Sequence, residues 1–392
     1  MSSDTRRIRP ALLREMNERA IFELLRTGGP TTRAQLARQL GMSAPAASRA
    51  VANLMQSGLI EMTDSPSTAA AGSSAGRPGQ WYRLSASNRI VLGATIGLRQ
   101  CSVVAAGLDG QYADTSVIEF RTPSTYARLV EGFADAVARS LRGQKGQPLG
   151  IGLGLPGQID RKTQTVLMSP NLHILDGQSP ERDLQKRLGI RTVMFHETDC
   201  ACLAEHSFGA GRGLSDFALI SIYEGLGASA VSAGRLVTGY SGLAGEIGHC
   251  TVDIHGKPCG CGNRGCLETV ATDNALAEAV SKRLRRTVDI DDVVKLARSG
   301  AHVPELDQTL EYLAIGIGIM VNALNPQAVL LCGRMFDAAD DSLERLRRHA
   351  LRHALGPLLR NCQIVRAQGS TRQGAIASIL QHVTNTLGPS IT

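Results

Sequence analysis

Apolar residues open the chain at helical spacing. Leu12, Leu13, Met16, Ala20, Ile21, Leu24 and Leu25 form one stripe, which predicts an amphipathic helix. Thr27-Gly-Gly-Pro30 stops it, and Thr32-Arg-Ala-Gln35 has the form of a capping box that starts a short helix through Leu36 to Leu40. Gly41-Met42 is a tight turn, after which Ser43 can cap a third helix to about Gln56, with Pro45 tolerated in its first turn. Ala47, Val51, Leu54 and Met55 would face inward. Ser43, Ala44, Ser48, Arg49 and Ala52 would face outward, small enough to enter a major groove. Leu59–Met62 and Trp81–Leu84 read as two short strands forming a wing. Two helices, a Gly-containing turn and a third helix are the helix-turn-helix plan, whose last helix reads bases.

From about Ile90 the texture changes. Ile90–Gly97 alternates as a strand, Cys101–Leu108 is its hairpin partner before Asp109-Gly110, and Ala127–Leu141 is an amphipathic helix. Leu149–Gly157 reads as a buried strand ending in a sharp turn, and a further strand is expected at Ala328–Cys332 within a largely helical C-terminal part. Strands alternating with helices argue an α/β body. Its halves, about 90–200 and 210–385, are expected as two lobes around a cleft suited to a small ligand.

Composition narrows the class. At 392 residues the chain needs more than one core, and with 43% hydrophobic and 20% charged residues it is globular. No uninterrupted apolar run reaches spanning length, so no membrane partner is expected. Arg6, Arg7 and Arg9 are not followed by an apolar stretch or cleavage site, so export is not expected either. Nine cysteines, several isolated (Cys101, Cys332, Cys362), do not resemble a disulfide framework and fit a reducing cytoplasm. Residues 1–89 hold twelve Arg against six acids, a balance of +6 in a chain of +7. That localised basicity implies a polyanion partner for the N-terminal segment. Between the wing strands lies a low-complexity stretch ending Gly76-Arg77-Pro78-Gly79. Extended Gly-Arg-Pro suits a narrow minor groove, although Arg77 could equally be a solvated linker residue.

The densest chemistry lies between His249 and Cys266, where one imidazole and three thiols (His249, Cys259, Cys261, Cys266) fall within eighteen residues separated by Gly and Pro. Soft thiolates plus one nitrogen on a flexible loop are the donor set of a closed, tetrahedral structural Zn2+ site. Glu246 precedes the cluster and Glu268 follows it by two residues, so two carboxylates flank a metal-clamped loop.

Gly154-Leu-Pro-Gly157, Phe208-Gly-Ala-Gly-Arg-Gly213, Leu243-Ala-Gly-Glu-Ile-Gly-His249, the Cys259/Cys261/Cys266 loop and Asn325-Pro326 together resemble the ROK family. That family unites bacterial sugar kinases and sugar-responsive repressors on one fold. The resemblance implies an α/β actin-like, two-lobed sugar-kinase (ribonuclease H-like) fold with an N-terminal all-α winged helix-turn-helix domain, which marks the family's regulators. It also implies a sugar-binding set of Glu246, His249 and Glu268 with His196, Glu197, Gly157 and Asn171. His249 would act through the nitrogen not held by zinc. Carboxylates accept from paired hydroxyls, and a metal-fixed imidazole is a pre-oriented donor. Glu246 and Glu268 could instead orient the loop itself.

The sequence departs from the family's kinases at three places. Their Asn-Asp pair, with Asp as general base, falls on His196-Glu197 in a gapless count from Ala204-Glu205, or on Thr198-Asp199 with a two-residue shift. Their first phosphate turn, Asp-x-Gly-Gly-Thr, corresponds to Thr95-Ile-Gly97-Leu98-Arg99, which lacks the Asp and the second Gly. Their second, Gly-Thr-Gly, corresponds to Glu224-Gly225-Leu-Gly227, where Glu224 would repel polyphosphate. The expectation is therefore a cytoplasmic, sugar-responsive repressor without phosphoryl transfer. It would bind palindromic operator DNA as a homodimer or homotetramer through Ser43, Ala44, Pro45, Ser48, Arg49 and Arg77. Residues 1–87 would form the DNA-binding domain (65–79 its wing or linker), 88–205 the first lobe, and 206–392 the second lobe with the zinc loop and the oligomerisation surface. A sugar kinase with a fused DNA-binding domain and a zinc-responsive regulator are the alternatives.

Overall fold

The computed structural model describes residues 10–65, 79–223 and 225–388. Three helices, α1 (Pro10–Gly28), α2 (Arg33–Gln39) and α3 (Ala44–Gln56), carry a sheet of β1 (Thr31–Thr32), β2 (Ile60–Thr63) and β3 (Trp81–Leu84) in the order β1-β3-β2. The capping box is real: Thr32 Oγ1 accepts from Gln35 N while Gln35 Oε1 accepts from Thr32 N. Ser43 caps α3 by accepting from Ala46 N at 3.4 Å. With a third strand added to the expected wing pair, this segment is α+β rather than all-α.

The buried face of α1 is also displaced toward its C-terminal half. Ile21, Phe22 and Leu25 are buried, whereas Leu12 and Leu13 are 37% and 49% exposed. Among the described residues, the buried apolar side chains of α1 lie in its C-terminal half. On α3 the inner face is Ala47, Ala50, Val51 and Leu54, with Met55 half-buried.

The chain then builds two compact units and crosses between them repeatedly. One comprises residues 1–156, 178–195 and 375–392, the other 157–177 and 196–374. The expected single boundary near residue 205 is replaced by crossings after 156, 177, 195 and 374. In the first unit, β4 (Arg89–Ile96), β5 (Gln100–Gly107), β6 (Ile118–Arg121) and β7 (Gln147–Leu155) form a sheet with α4 (Tyr126–Leu141). The chain leaves for the hairpin β8 (Gln158–Asp160) and β9 (Thr165–Met168), then returns through α5 (Pro180–Leu188) to the edge strand β10 (Thr192–His196). The strand order is β10-β7-β4-β5-β6.

In the second unit, α6 (Glu197–Phe208) precedes β11 (Phe217–Ile222), β12 (Leu226–Ser232) and β13 (Arg235–Leu236). Helices α7 (Asp273–Leu284), α8 (Ile290–Arg298) and α9 (Pro304–Leu324) follow, then β14 (Ala328–Cys332), α10 (Ser342–Ala350), α11 (Gly356–Asn361) and β15 (Gln363–Arg366), while α12 (Thr371–Thr386) belongs from residue 375 onward to the first unit. This sheet runs β13-β12-β11-β14-β15, with β11, β14 and β15 parallel. Renumbered within each unit, both sheets have the order 3-2-1-4-5, an antiparallel meander joined to crossover strands. The core of the second unit lies between its sheet and α7–α9, where Gly316 lets Leu267 pack directly on α9: a Cβ there would lie 2.6 Å from Leu267 Cδ2.

Candidate ligand site, metal cluster and DNA-binding face

The candidate ligand site is organised around the tight turn from β11 into β12. Tyr223 N donates to Gly225 O at 3.0 Å, and three other elements close on the segment 225–228. From α6, Thr198 comes so close that a Cβ on Gly227 would lie 2.8 Å from its Oγ1. From the loop after Cys266, Glu268 Oε2 accepts from Leu226 N at 3.1 Å and would lie 2.9 Å from a Cβ on Gly225. From the short helix Ile247–His249, Gly248 lies where a Cβ would be 2.1 Å from Leu226 O, and Gly245 O accepts from Ala228 N at 3.0 Å. Glycine is required here for close backbone approach. The result is that Glu246, His249, Glu268 and the start of α6 surround one short segment of chain.

His196 caps α6, its Nδ1 accepting from Thr198 N at 3.2 Å, so that its Nε2 carries the proton when the ring is neutral. Glu197 is exposed as the first residue of α6. Asp199 is committed elsewhere. It is 8% exposed, pairs with Arg161 Nη2 at 3.1 Å and accepts from Ser229 Oγ at 2.8 Å. Of the two registers left open by the sequence, only the one using Glu197 leaves an outward-facing carboxylate. Gly157 has φ +110° and sits against Met168 and Ser169, where any side chain would clash. Asn171 is exposed on the loop that Asp176 closes by accepting from Ser169 N at 2.6 Å. No hydrogen bond among the described residues ties Asn171 to Glu246, His249 or Glu268.

Beside this site, the donor atoms of His249, Cys259, Cys261 and Cys266 all lie within 4.8 Å of one another. Cys259 Sγ is 3.6 Å from His249 Nδ1, and Cys261 Sγ is 3.7 Å from Cys266 Sγ. A tetrahedron with zinc–sulfur bonds of about 2.3 Å and zinc–nitrogen bonds of about 2.0 Å has edges of roughly 3.5–3.8 Å, so these separations fit a single ion. The loop backbone supplies the shape: Cys259 N donates to Asn263 O and Gly262 N to Cys259 O, while Gly265 at φ +68° packs on Asp253. Nδ1 of His249 faces the thiols. Its Nε2 faces Glu246 Oε2 at 3.7 Å, the arrangement in which a carboxylate orients a ligating imidazole.

Two further groups were not legible as site features. Asp273, only 3% exposed, accepts from both Arg334 N and Met335 N at 2.8 Å, just beyond the C-terminal end of β14. Arg366, at the end of β15, donates to Gly333 O at 2.6 Å and to Asp337 Oδ1 at 3.2 Å, with its guanidinium 5.0 Å over the Phe336 ring. The carboxyl ends of parallel strands are where α/β sheets receive anionic ligands on exposed amides. Here the amides of Leu226, Arg334 and Met335 are taken by the chain's own Glu268 and Asp273. In the first sheet, Thr95 Oγ1 is bonded to Ser102 Oγ at 2.6 Å and Leu98 is 37% exposed. Glu224 lies outside the described residues. Cys200 and Cys202 are fully buried, and burial pushes both thiols well above their usual range, so neither is a ready nucleophile.

On the N-terminal helices, Ser43, Ala44, Pro45, Arg49 and Ala52 are exposed and Ser48 is half-exposed on α3. Asn53 Nδ2 donates to Glu18 Oε1 at 2.7 Å, locking α3 on α1 and fixing which face points out. Arg77 lies outside the described residues.

The chain matches the ROK family over residues 91–382 and the MarR family over residues 19–69. It is 27% identical over 395 residues to the DNA-binding transcriptional dual regulator NagC of Escherichia coli K12, covering 95% of this chain and 94% of that one. A glucokinase of Halalkalibacterium halodurans is 29% identical over 289 residues, 69% of this chain and 87% of the relative. Among solved structures, a ROK family transcriptional regulator described as a homolog of the E. coli MLC protein superposes with a TM-score of 0.83. It is 23% identical, with 96% of this chain and 98% of that chain covered. Among the described residues no helix is long and apolar enough to cross a membrane.

Proposed function

We propose, from the premise that this chain belongs to the ROK family, that it is a sugar-responsive transcriptional repressor. A winged-helix head binds operator DNA, and a kinase-like body senses the sugar. The observation that carries the reading is the pairing, in one chain, of that head with Glu246, His249 and Glu268 gathered on the β11–β12 turn. The hydroxyls of a sugar would be accepted by Glu246 and Glu268, with the Nε2 proton of His249 as donor and Glu197 and His196 at the start of α6 as further partners. Gly157, packed on Met168 and Ser169, and the exposed Asn171 are the remaining candidates. Zn2+ would be held by His249, Cys259, Cys261 and Cys266, and its chemistry is structural: it clamps the loop that carries the two carboxylates.

The body acts as a sensor and not as a kinase. Supporting this, backbone amides that could cradle phosphate are already bonded to Glu268 and Asp273, and Thr95 and Leu98 replace the family's first phosphate turn. A carboxylate on a phosphate-binding amide opposes an anionic ligand by both occupancy and charge. The kinase relative keeps the second reading open to test. Operator palindromy and two reading heads call for a homodimer or homotetramer in the cytoplasm, with residues 1–87 as the DNA-binding domain.

The experiment uses full-length protein and a duplex that it selects from a randomised pool, titrated against a panel of sugars and sugar phosphates. One sugar is expected to change DNA affinity at least about fivefold, in line with ordinary allosteric coupling, and Glu246→Gln and Glu268→Gln should abolish that response. Release of ADP from ATP with any of those sugars would overturn the sensor-only reading. A protein selecting no duplex would overturn the repressor reading.

A further inference from the structure

The N-terminal helices and wing strand enclose a cavity of about 350 Å³ that adjoins the base-reading face, sharing Ala44 and Ser48 with it. Its walls come from Arg33, Ala34 and Ala37 on α2, Ala44 and Ser48 on α3, and Tyr82 on β3. Alanines at three of these positions are what keep it open; larger side chains would fill it. Arg33 is exposed at the rim, donates to the Tyr82 hydroxyl and lies 5.6 Å from the centroid of its ring. Tyr82 itself is 1% exposed, so the guanidinium rests on a rigid support. Among the described residues Arg33 makes no ion pair, and no acidic side chain lines the cavity. The Ser48 hydroxyl has no hydrogen-bond partner among the described residues. It shares an i, i+4 face with Ala44, so it borders both the cavity and the outer face of α3.

The place of the cavity identifies its occupant. When α3 lies in a major groove and the wing reaches the neighbouring minor groove, one sugar–phosphate strand separates the two grooves and must pass between them. The cavity lies between α3 and the base of the wing, bounded by Gly79 and Gln80. A pre-oriented guanidinium without an acid partner, a free hydroxyl and small apolar walls suit a phosphodiester with its deoxyribose. We propose that this cavity seats one backbone phosphate of the bound duplex, held by Arg33 and Ser48, and that it sets the register of α3 without reading sequence. The proposal rests on the DNA-binding reading above.

The test measures binding of the full-length protein to its pool-selected duplex and to a scrambled duplex, between 0.05 and 0.5 M salt. One lost phosphate contact makes the slope of log affinity on log salt less negative by about 0.9, which corresponds to about fivefold weaker binding near 0.15 M. Arg33→Ala is expected to show both changes, with the ratio of selected to scrambled affinity unchanged. Arg33→Lys should keep the wild-type slope, because the charge remains. Ser48→Ala should weaken both duplexes equally, with an unchanged ratio. A wild-type slope in Arg33→Ala, or weaker binding with an unaltered slope, would make Arg33 merely a support for Tyr82 and sink the proposal. A changed ratio in Arg33→Ala would make it a base reader and sink it equally. A wild-type protein that binds neither duplex removes the DNA-binding reading itself, an outcome distinct from the other two.

Discussion

Asp273 offers the sharpest quantitative test of the body. It opens α7, with Thr272 as the helix cap, and its two oxygens accept from Arg334 N and Met335 N. Two amide bonds favour the carboxylate, as do Arg366 and Arg334 nearby, yet burial outweighs them and lifts the carboxyl from its ordinary 3.8 to about 6. Because the folded state holds this proton more tightly than the unfolded state, it binds more protons between those two values. Stability from this group is therefore fully present below 3.8, falls as pH rises, and is lost above about 6. The difference corresponds to about 3 kcal/mol at most. Asn cannot ionise, but its Nδ2 donates and does not accept, so one of the two backbone N–H groups loses its acceptor at a cost of about 1–3 kcal/mol at every pH. Asp273→Asn is thus expected to be less stable than wild type near pH 4 by about that amount, and the difference, variant minus wild type, to rise by up to about 3 kcal/mol towards pH 7. The assay is guanidinium unfolding followed by circular dichroism from pH 4.5 to 7.5, compared as variant minus wild type so that other titrations cancel. A difference independent of pH would refute the reasoning, because the folded state would then hold the Asp273 proton no more tightly than the unfolded chain.

Glu205 is fully buried and accepts from Ala210 N at 2.7 Å, Gln368 N at 2.6 Å and Gly369 N. Glu205→Ala strands three amides and should cost roughly 3–5 kcal/mol, read as a large fall in Tm; a fall under about 1 kcal/mol would contradict it. Cys261→Ser should reduce bound zinc measured by elemental mass spectrometry and lower Tm, whereas unchanged metal content would remove Cys261 from the donor set. Ser43→Ala should destabilise α3 by about 1 kcal/mol, visible as faster amide exchange over 44–56 at an unchanged rate in the second unit.

Features that depend on neighbouring residues were readable from the chain alone. The Thr32/Gln35 capping box and the Ser43 cap lie within a few residues of their partners, the four donors fall within eighteen residues, and Ala328–Cys332 is marked as a strand by its own apolar run. The same holds for the locations of Glu246 and His249, three residues apart and facing each other in the fold. Tertiary structure decided the rest, because the deciding contacts join distant positions. Asp273 meets Arg334 and Met335 across about sixty residues, Glu268 meets Leu226 across 42, and Glu205 meets Gln368 across 163. Asp199, which sequence spacing offers as an alternative to Glu197, is enclosed by Arg161 and Ser229. The outward turn of Leu12 and Leu13, the repeated crossings between units and the cavity beneath Arg33 have the same origin. Local pattern dictates which element forms, but only packing against partners remote in sequence dictates which of its faces, charges and hydrogen-bonding groups stay free to act.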